Sequence, residues 1–355
     1  MSDDQIEIPS KENRPLVTFA LFAYNQEKYI REAVEGAFAQ TYEPLEIILS
    51  DDCSTDRTFE IMKEMVESYS GGAGVVARQT KKNVGTLLHV AEVAKLAHGK
   101  LLVLAAGDDV SLPERAETIL NAWRLTGAWG FCSRFNRIDE TGQITARDQT
   151  VSILTSPNYP LRQYFATGQN EVKIIHGATS AYDMRLFNFL STNPEDYVLS
   201  EDGALSVLLN LIGKEIRILD SSLVNYRENE QSLTNAGKLG KISYQKIRAD
   251  EIAIERFAHS QAKRCELFLR FQKKFGSTSF FQLDQIRLKD ELKKQRMRAR
   301  WRKLSFIDQV SYLHSCGDLG LYKVYFLRLL PEPIFFSMKI IWKLIVRKLK
   351  DFLKS

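Results

Sequence analysis

Three short apolar runs constrain this chain more than anything else in it: Leu16–Ala23 (LVTFALFA), Leu45–Ser50 (LEIILS) and Lys100–Ala105 (KLLVLA). Each is too short for a helix and reads as a buried strand. Segments with helical spacing alternate with them: Lys28–Ala39 (Ile30, Ala33, Val34, Ala37 and Phe38 on one side), Thr58–Ser68, Thr86–Ala97, and Leu112–Leu125 with Pro113 at an early position. Gly71–Gln79 is a glycine-rich turn into a further short strand. This alternation predicts βαβ units and an α/β fold with a mostly parallel central sheet flanked by helices. Such sheets bind ligands beyond the carboxyl ends of their strands. The polar groups sit at those ends: Tyr24 and Asn25, Asp51 and Asp52, Asp108 and Asp109.

The pattern is mixed from Trp129 to Tyr226. Phe131–Ile138 suggests a strand, Asp139-Glu140-Thr141-Gly142 a turn before another strand, Gly168–Ala181 loop and strand, and Asp202–Leu211 a helix. A boundary is expected near 235–242, where Asn235-Ala236-Gly237 and Gly240 break the pattern. This gives a flexible N-terminus over 1–13, an α/β domain over 14–235 and a basic, α-helical C-terminal extension over 240–355. The net charge of +5 is unevenly spread. Residues 241–355 carry 26 Lys and Arg against 11 Asp and Glu, leaving 23 and 33 for the first 240. A basic block of this kind implies an anionic partner, a membrane surface or nucleic acid. The absence of a known nucleic-acid motif and the acidic front argue against nucleic acid.

Within the basic region, Ile334–Leu353 reads as an amphipathic helix: Lys339, Lys343, Arg347, Lys350 and Lys354 share one face, with Phe335, Phe336, Ile340, Ile341 and Trp342 among the rest. That pattern suits an anionic bilayer interface, or docking on the protein's own core with the lysines outward. Gln295–Trp301 (QRMRARW) reads as a basic helix face. The acidic, polar start lacks a secretory signal, and no run of about 18 uncharged apolar residues occurs. The four cysteines, Cys53, Cys132, Cys265 and Cys316, lie far apart, with neither a disulfide framework nor a zinc cluster in their spacing. A cytoplasmic chain, peripheral on the inner face of the cell membrane, is expected.

The acidic pairs each have two readings. Asp108-Asp109 suits a hard divalent cation that shares its ligands with nucleotide phosphates, or is a solvated turn. Asp52 can accept from a base N–H or ribose hydroxyls, or can cap the helix that follows. Glu201-Asp202 can supply a general base, or can sit at a helix N-terminus because the macrodipole favours acids there.

Taken together, V-T-F-A-L-F-A-Y-N-Q-E-K-Y-I, E-I-I-L-S-D-D-C-S-T-D-R-T, N-V-G and L-V-L-A-A-G-D-D-V-S-L-P resemble, in order and spacing over residues 16–113, the family 2 glycosyltransferases of GT-A fold, a Rossmann-like architecture. The resemblance implies that Tyr24 and the Ala23 backbone contact the base, with Asn25 and Glu27 on the same donor side. It implies that Asp52 bonds the uracil-like ring or ribose, and that Asn83 and Gly85 belong to a loop closing on the nucleotide. Asp108 would approach the ribose and Asp109 would hold Mn2+ or Mg2+. Ser200-Glu201-Asp202-Gly203 resembles the family's E-D motif, with Asp202 as general base and Glu201 orienting the acceptor. His176-Gly177 resembles a small-residue segment beneath the acceptor. Tyr226–Thr234 resembles the Y-R-x-H-x-x-S-x-T tail, in which Arg227 contacts phosphate or pairs structurally with an acid. The chain departs from the pattern at Ala106, where many relatives carry a third acid, and at Asn229, where the tail has histidine.

The function so implied is inverting, metal-dependent transfer of a hexosyl or N-acetylhexosaminyl group. The donor would be a nucleotide-sugar such as a UDP-sugar, and the acceptor a glycan or lipid-linked oligosaccharide in bacterial surface-polysaccharide synthesis. Two alternatives compete. A sugar-phosphate nucleotidyltransferase would need a glycine-rich basic loop where Ala23-Tyr24-Asn25-Gln26-Glu27 stands. A catalytically inactive GT-A scaffold would fit the Ala106 and Asn229 departures.

Overall fold

A computed structural model describes residues 14–149, 173–190, 198, 200–228, 244–276, 283–300 and 304. The elements follow in the order β1 (Val17–Ala23), α1 (Ile30–Phe38), β2 (Leu45–Asp51), α2 (Thr58–Glu67), β3 (Gly74–Gln79), α3 (Thr86–Leu96), β4 (Leu101–Ala106) and β5 (Val110–Ser111). Then come α4 (Arg115–Thr126), β6 (Gly130–Ile138), β7 (Ile144–Gln149), β8 (Ser180–Asp183), α5 (Glu201–Leu211), β9 (Ile216–Arg227), α6 (Tyr244–Phe275) and α7 (Gln285–Ala299). The chain divides into two compact units, Met1–Asn229 with Leu267–Asp284, and Glu230–Glu266 with Gln285–Ser355. The segments expected as N-terminus (1–13), linker (235–242) and amphipathic helix (334–353), together with Asn229 and Trp301, lie outside the described residues.

Among the described residues the strands form one nine-stranded sheet in the order β3-β2-β1-β4-β8-β6-β9-β5, with β7 paired to β6. The first four are parallel, in a register that sets Ala23 beside Asp51 and Phe22 beside Ala106. β8 runs antiparallel to both β4 and β6, while β9 is parallel to β6. The sequence pattern missed β9. Asp220-Ser221-Ser222 interrupts its apolar alternation, and the pairing explains why: Leu219 faces Ser133 but Ser222 already faces Arg134, so the polar residues occupy a bulge.

The apolar runs fold as strands because both faces of the sheet are covered. Val17, Phe19 and Leu21 of β1 pack with Ile47, Leu49, Leu101 and Val103 against Ile30, Val34, Ile61, Ile119 and Leu120 of α1, α2 and α4. Burying a side chain such as Ile30 or Val34, each fully enclosed, stabilises the fold by about 1.5–3 kcal/mol. The opposite face meets α3, where His89 lies edge-on to Phe22 with ring centres 5.0 Å apart. Within the first unit, Leu267, Phe268 and Phe271 are buried, and Phe275 lies 6.0 Å from Phe189, centre to centre. Among the described residues no helix is long and apolar enough to cross a membrane.

His89 is buried and neutral. Its Nε2 lies 2.6 Å from Ser50 Oγ, which also accepts from Arg78 Nη1 at 3.0 Å. Burial first, then the nearby Arg78 charge, push His89 down to about 4 from an ordinary value of 6.5. Below that ordinary value the unfolded chain takes up a proton that the folded chain refuses. Stability therefore rises with pH from about 4 to about 6.5 and is flat above, by roughly 3 kcal/mol from this group. Urea denaturation across that range is expected to show this slope, and His89→Gln to flatten it.

Candidate active site

The carboxyl ends of β1, β2 and β4 form one rim. Asp52 N–H donates to Ala23 O at 2.9 Å, and Gly107 N–H to Phe22 O at 2.9 Å. Two loops on this rim are locked together. Asn25, with φ of 53°, accepts through Oδ1 from Thr55 N at 2.8 Å, and its own N–H donates to Ser54 Oγ at 2.8 Å. Glu27 Oε2 accepts from Arg57 N at 3.0 Å, while its N–H donates to Asp56 Oδ2 at 3.1 Å. Asn25 and Glu27 are thus engaged in shaping the rim, whereas the Tyr24 side chain, 47% exposed, projects from it.

The adjacent acids Asp51 and Asp52 do different work. Asp51 accepts from Ser54 N at 2.8 Å, from the Ser54 hydroxyl, and from Gln79 Nε2 at 2.8 Å. Asp52 anchors the loop over residues 80–85, accepting from Thr80 Oγ1 (3.0 Å), Val84 N (2.9 Å) and Gly85 N (3.0 Å). It does not cap α2; the first turn of that helix is served by Asp56, which accepts from Thr58 N at 3.0 Å. Gly85 needs its lack of a Cβ, since its φ is 78°. Asn83 is half-buried at the crest of this loop.

Asp109 is 4% exposed. Its Oδ1 accepts from Arg227 N at 2.8 Å, and its Oδ2 is buried without a hydrogen-bond partner. Burial, and then the charge of half-buried Asp108, push this carboxyl well above the usual range. Two enclosed arginines border the turn. The Arg227 guanidinium donates to Asp108 O (2.9 Å), Asp139 O (3.1 Å), Glu140 O (3.2 Å) and Glu32 Oε2 (2.7 Å), and lies 4.8 Å over the Tyr29 ring. Of the two readings open for Arg227, the pairing with an acid is seen here: its guanidinium lies 2.7 Å from Glu32 Oε2, and the side chain is 0% exposed. Arg115, which sequence reasoning passed over, donates to Ser111 Oγ, Leu104 O, Ala178 O and Ser180 O. Burial pushes it down to about 9, against the opposing effect of Asp109, so it stays cationic at neutral pH.

Asp202 lies in the first turn of α5. It accepts through Oδ1 from the Ser200 hydroxyl and from Gly203 N (2.6 Å), and through Oδ2 from Gly177 N (3.2 Å). A Cβ at Gly177 would stand 2.8 Å from Glu201 Oε1, so a larger residue there would displace the Glu201 carboxyl. Burial and the Asp202 charge raise the Glu201 carboxyl to about 7. The Thr86 hydroxyl donates to Val198 O at 3.2 Å. His176 is stacked on Phe135 (5.4 Å, 12°) and edge-on to Tyr226 (5.5 Å), with Nδ1 buried and unpartnered. Burial holds its ring below the usual histidine range.

Hydrogen bonds therefore run from Gly85 N to Asp52, from the adjoining Thr86 hydroxyl to Val198 O, and from Gly177 N to Asp202. This continuity through Thr86 was not legible in the motifs. Among the described residues no group of three or more His, Cys, Asp or Glu is arranged to hold a metal ion. The partnerless Oδ2 of Asp109 fits a cation that takes its other ligands from a nucleotide diphosphate.

Residues 18–190 match the family model described as Glycosyl transferase family 2. The putative glycosyltransferase EpsE of Bacillus subtilis (strain 168) is 33% identical over 103 residues, 29% of this chain and 36% of that protein. The uncharacterized glycosyltransferase EpsJ of the same organism is 27% identical over 240 residues, 62% of this chain and 63% of its own. Uncharacterized mycobacterial relatives are 43% identical over 88 residues, and there the match spans about a quarter of their length, 25%. Two solved structures share the fold. S. aureus TarS 1-349 in complex with UDP-GlcNAc has a TM-score of 0.51 at 16% identity, covering 90% of this chain and 82% of that one. GalNAc-T7 with UDP, GalNAc and Mn2+ has a TM-score of 0.53 at 14% identity, covering 76% and 56%. The α/β architecture, with helices α6 and α7 after the sheet, is of the GT-A type.

Asp52→Ala leaves two buried backbone N–H groups, those of Val84 and Gly85, without their acceptor, while the Thr80 hydroxyl keeps Lys82 O. It is expected to destabilise the protein by about 2–4 kcal/mol in denaturant unfolding, with faster amide exchange at Val84 and Gly85.

Proposed function

We propose that this chain is an inverting glycosyltransferase that moves a hexosyl or N-acetylhexosaminyl group from a UDP-sugar to a hydroxyl of a glycan or lipid-linked acceptor in surface-polysaccharide synthesis. The observation that carries this reading is the continuity just described. The loop that Asp52 anchors on the rim continues into Thr86, whose hydroxyl donates to Val198 O just ahead of the helix that carries Asp202. The UDP found in both solved structures of like fold supports a uridine nucleotide.

In this reading Tyr24, the Ala23 backbone and the Asp52-anchored loop bearing Asn83 receive the nucleoside, and Asp108 approaches the ribose. Asp202 takes the proton of the acceptor hydroxyl as its oxygen bonds to the anomeric carbon. The bond from that carbon to the diphosphate oxygen breaks on the opposite side, which inverts the centre. A single protein base suffices for this displacement. Glu201 and His176-Gly177 shape the acceptor side. Asp109, with Asp108, would hold the divalent cation, Mn2+ or Mg2+, whose charge offsets that on the leaving diphosphate. The Ile334–Leu353 helix is assigned to an anionic membrane surface on the basis of its sequence pattern.

A panel of nucleotide sugars, screened by thermal shift with Mn2+ and with chelator, is expected to single out one UDP-sugar. Asp202→Asn should lower turnover of that donor by about 10²–10⁴-fold while its thermal shift persists; full activity in the variant removes Asp202 as the base. Asp109→Asn should abolish the Mn2+-dependent part of the UDP shift. An unchanged shift with and without Mn2+ removes Asp109 as the metal residue.

A further inference from the structure

Arg115 occupies the first position of α4 and is 0% exposed. Both facts are unfavourable for stability alone. The N-terminal turn of a helix carries partial positive charge and favours acids. A buried guanidinium is costly to desolvate, and an apolar side chain of similar volume would fill the space without that penalty. Its Nε, moreover, has no hydrogen-bond partner. Packing therefore does not account for an arginine here.

Its acceptors give a better account. Nη2 donates to Leu104 O at 2.6 Å, to Ala178 O at 3.3 Å and to Ser180 O at 3.3 Å, while Nη1 donates to Ser111 Oγ at 2.8 Å. Leu104 lies on β4, the strand that delivers Asp108 and Asp109, and Ser111 lies on β5 just beyond them. Ala178 and Ser180 belong to the turn that follows Gly177, whose N–H is bonded to Asp202 Oδ2 at 3.2 Å. One rigid, planar fork thus spans two chain segments about 70 residues apart, a geometry that lysine cannot reproduce.

We propose that Arg115 is a positioning residue that couples the two sides of the site, setting the turn at 177–180 by the same guanidinium that sets the end of β4 and Ser111. The proposal rests on the donor-site reading above. Occupation of the Asp108–Asp109 turn is then felt at Gly177 and so at Asp202. Tightening at 177–180 follows donor binding and requires no contact between donor and that turn.

The test is hydrogen exchange of the full chain with and without UDP and Mn2+, alongside calorimetric UDP binding. In the unsubstituted protein the ligand should slow exchange over 80–85 and also over 177–182, the latter by about fivefold, a typical coupling strength. In Arg115→Met, UDP should still bind and still protect 80–85, while the protection over 177–182 is lost. Arg115→Lys, which keeps an amine but not the fork, is the second variant should the first fail to fold, and should show the same loss. Protection over 177–182 that survives in a folded variant overturns the proposal, as does its absence from unsubstituted protein that binds UDP. Unsubstituted protein that binds neither UDP nor GDP removes the donor site itself, and this coupling with it.

Discussion

The Asp108–Asp109 turn is held between two guanidinium groups closed off from solvent, and the candidate site depends on that arrangement. A carboxylate as deeply buried as Asp109 is strongly disfavoured in its charged form unless positive charge lies close by. Arg115 and Arg227 supply it, one six residues downstream and the other at the end of β9. Neither pairs with Asp109 side chain to side chain. Arg227 reaches it through a backbone N–H and uses its guanidinium to fix Glu32, Asp108 O and the turn at 139–142. The donor side, which looks complete within the first 113 residues, is therefore finished only when β9 arrives.

Most polar groups along the rim are engaged with one another. Asn25, Glu27, Asp51, Asp52 and Asp56 all accept from N–H groups of the neighbouring loops, so the loops hold one shape before any ligand enters. Preformed donors and acceptors need not reorganise when charge develops in a reaction, which is where fixed polar frames are most effective. The groups left over are few and pointed: the exposed Tyr24 ring, Asp109 Oδ2 and His176 Nδ1.

How much of this could be read from the sequence follows from how each part is built. The strands β1, β2 and β4 and the helices between them announce themselves, because each is a continuous apolar run enclosed on both faces or a 3.6-residue pattern. The acids at their ends were visible because consecutive βα units put them on one rim. β9 was not visible, because its bulge places Asp220-Ser221-Ser222 inside a strand. The division of labour between Asp51 and Asp52 could not be read either, since two adjacent aspartates carry no sign of which loop each will face. Arg115 looked like an ordinary charge in a helical first turn, and only the packed structure shows what its guanidinium holds. Thr86 is a similar case: its partner, Val198 O, is more than a hundred residues away.

Charge explains why the balance remains open at one atom. The first 240 residues carry 33 acids against 23 bases, and the rim carries Asp51, Asp52, Asp108 and Asp109. A nucleotide diphosphate approaching such a surface meets like charge, which falls off slowly where the dielectric is low. Asp51 and Asp52 are offset by the N–H and O–H groups that they accept from, and Asp202 by its own three donors. Asp109 has one oxygen satisfied by Arg227 N and the other satisfied by nothing in the protein. A bound cation at that oxygen would satisfy it and also offset the repulsion between the rim and the phosphates. The same atom thus links two otherwise separate requirements, a stable buried carboxylate and a tolerable approach for an anionic donor.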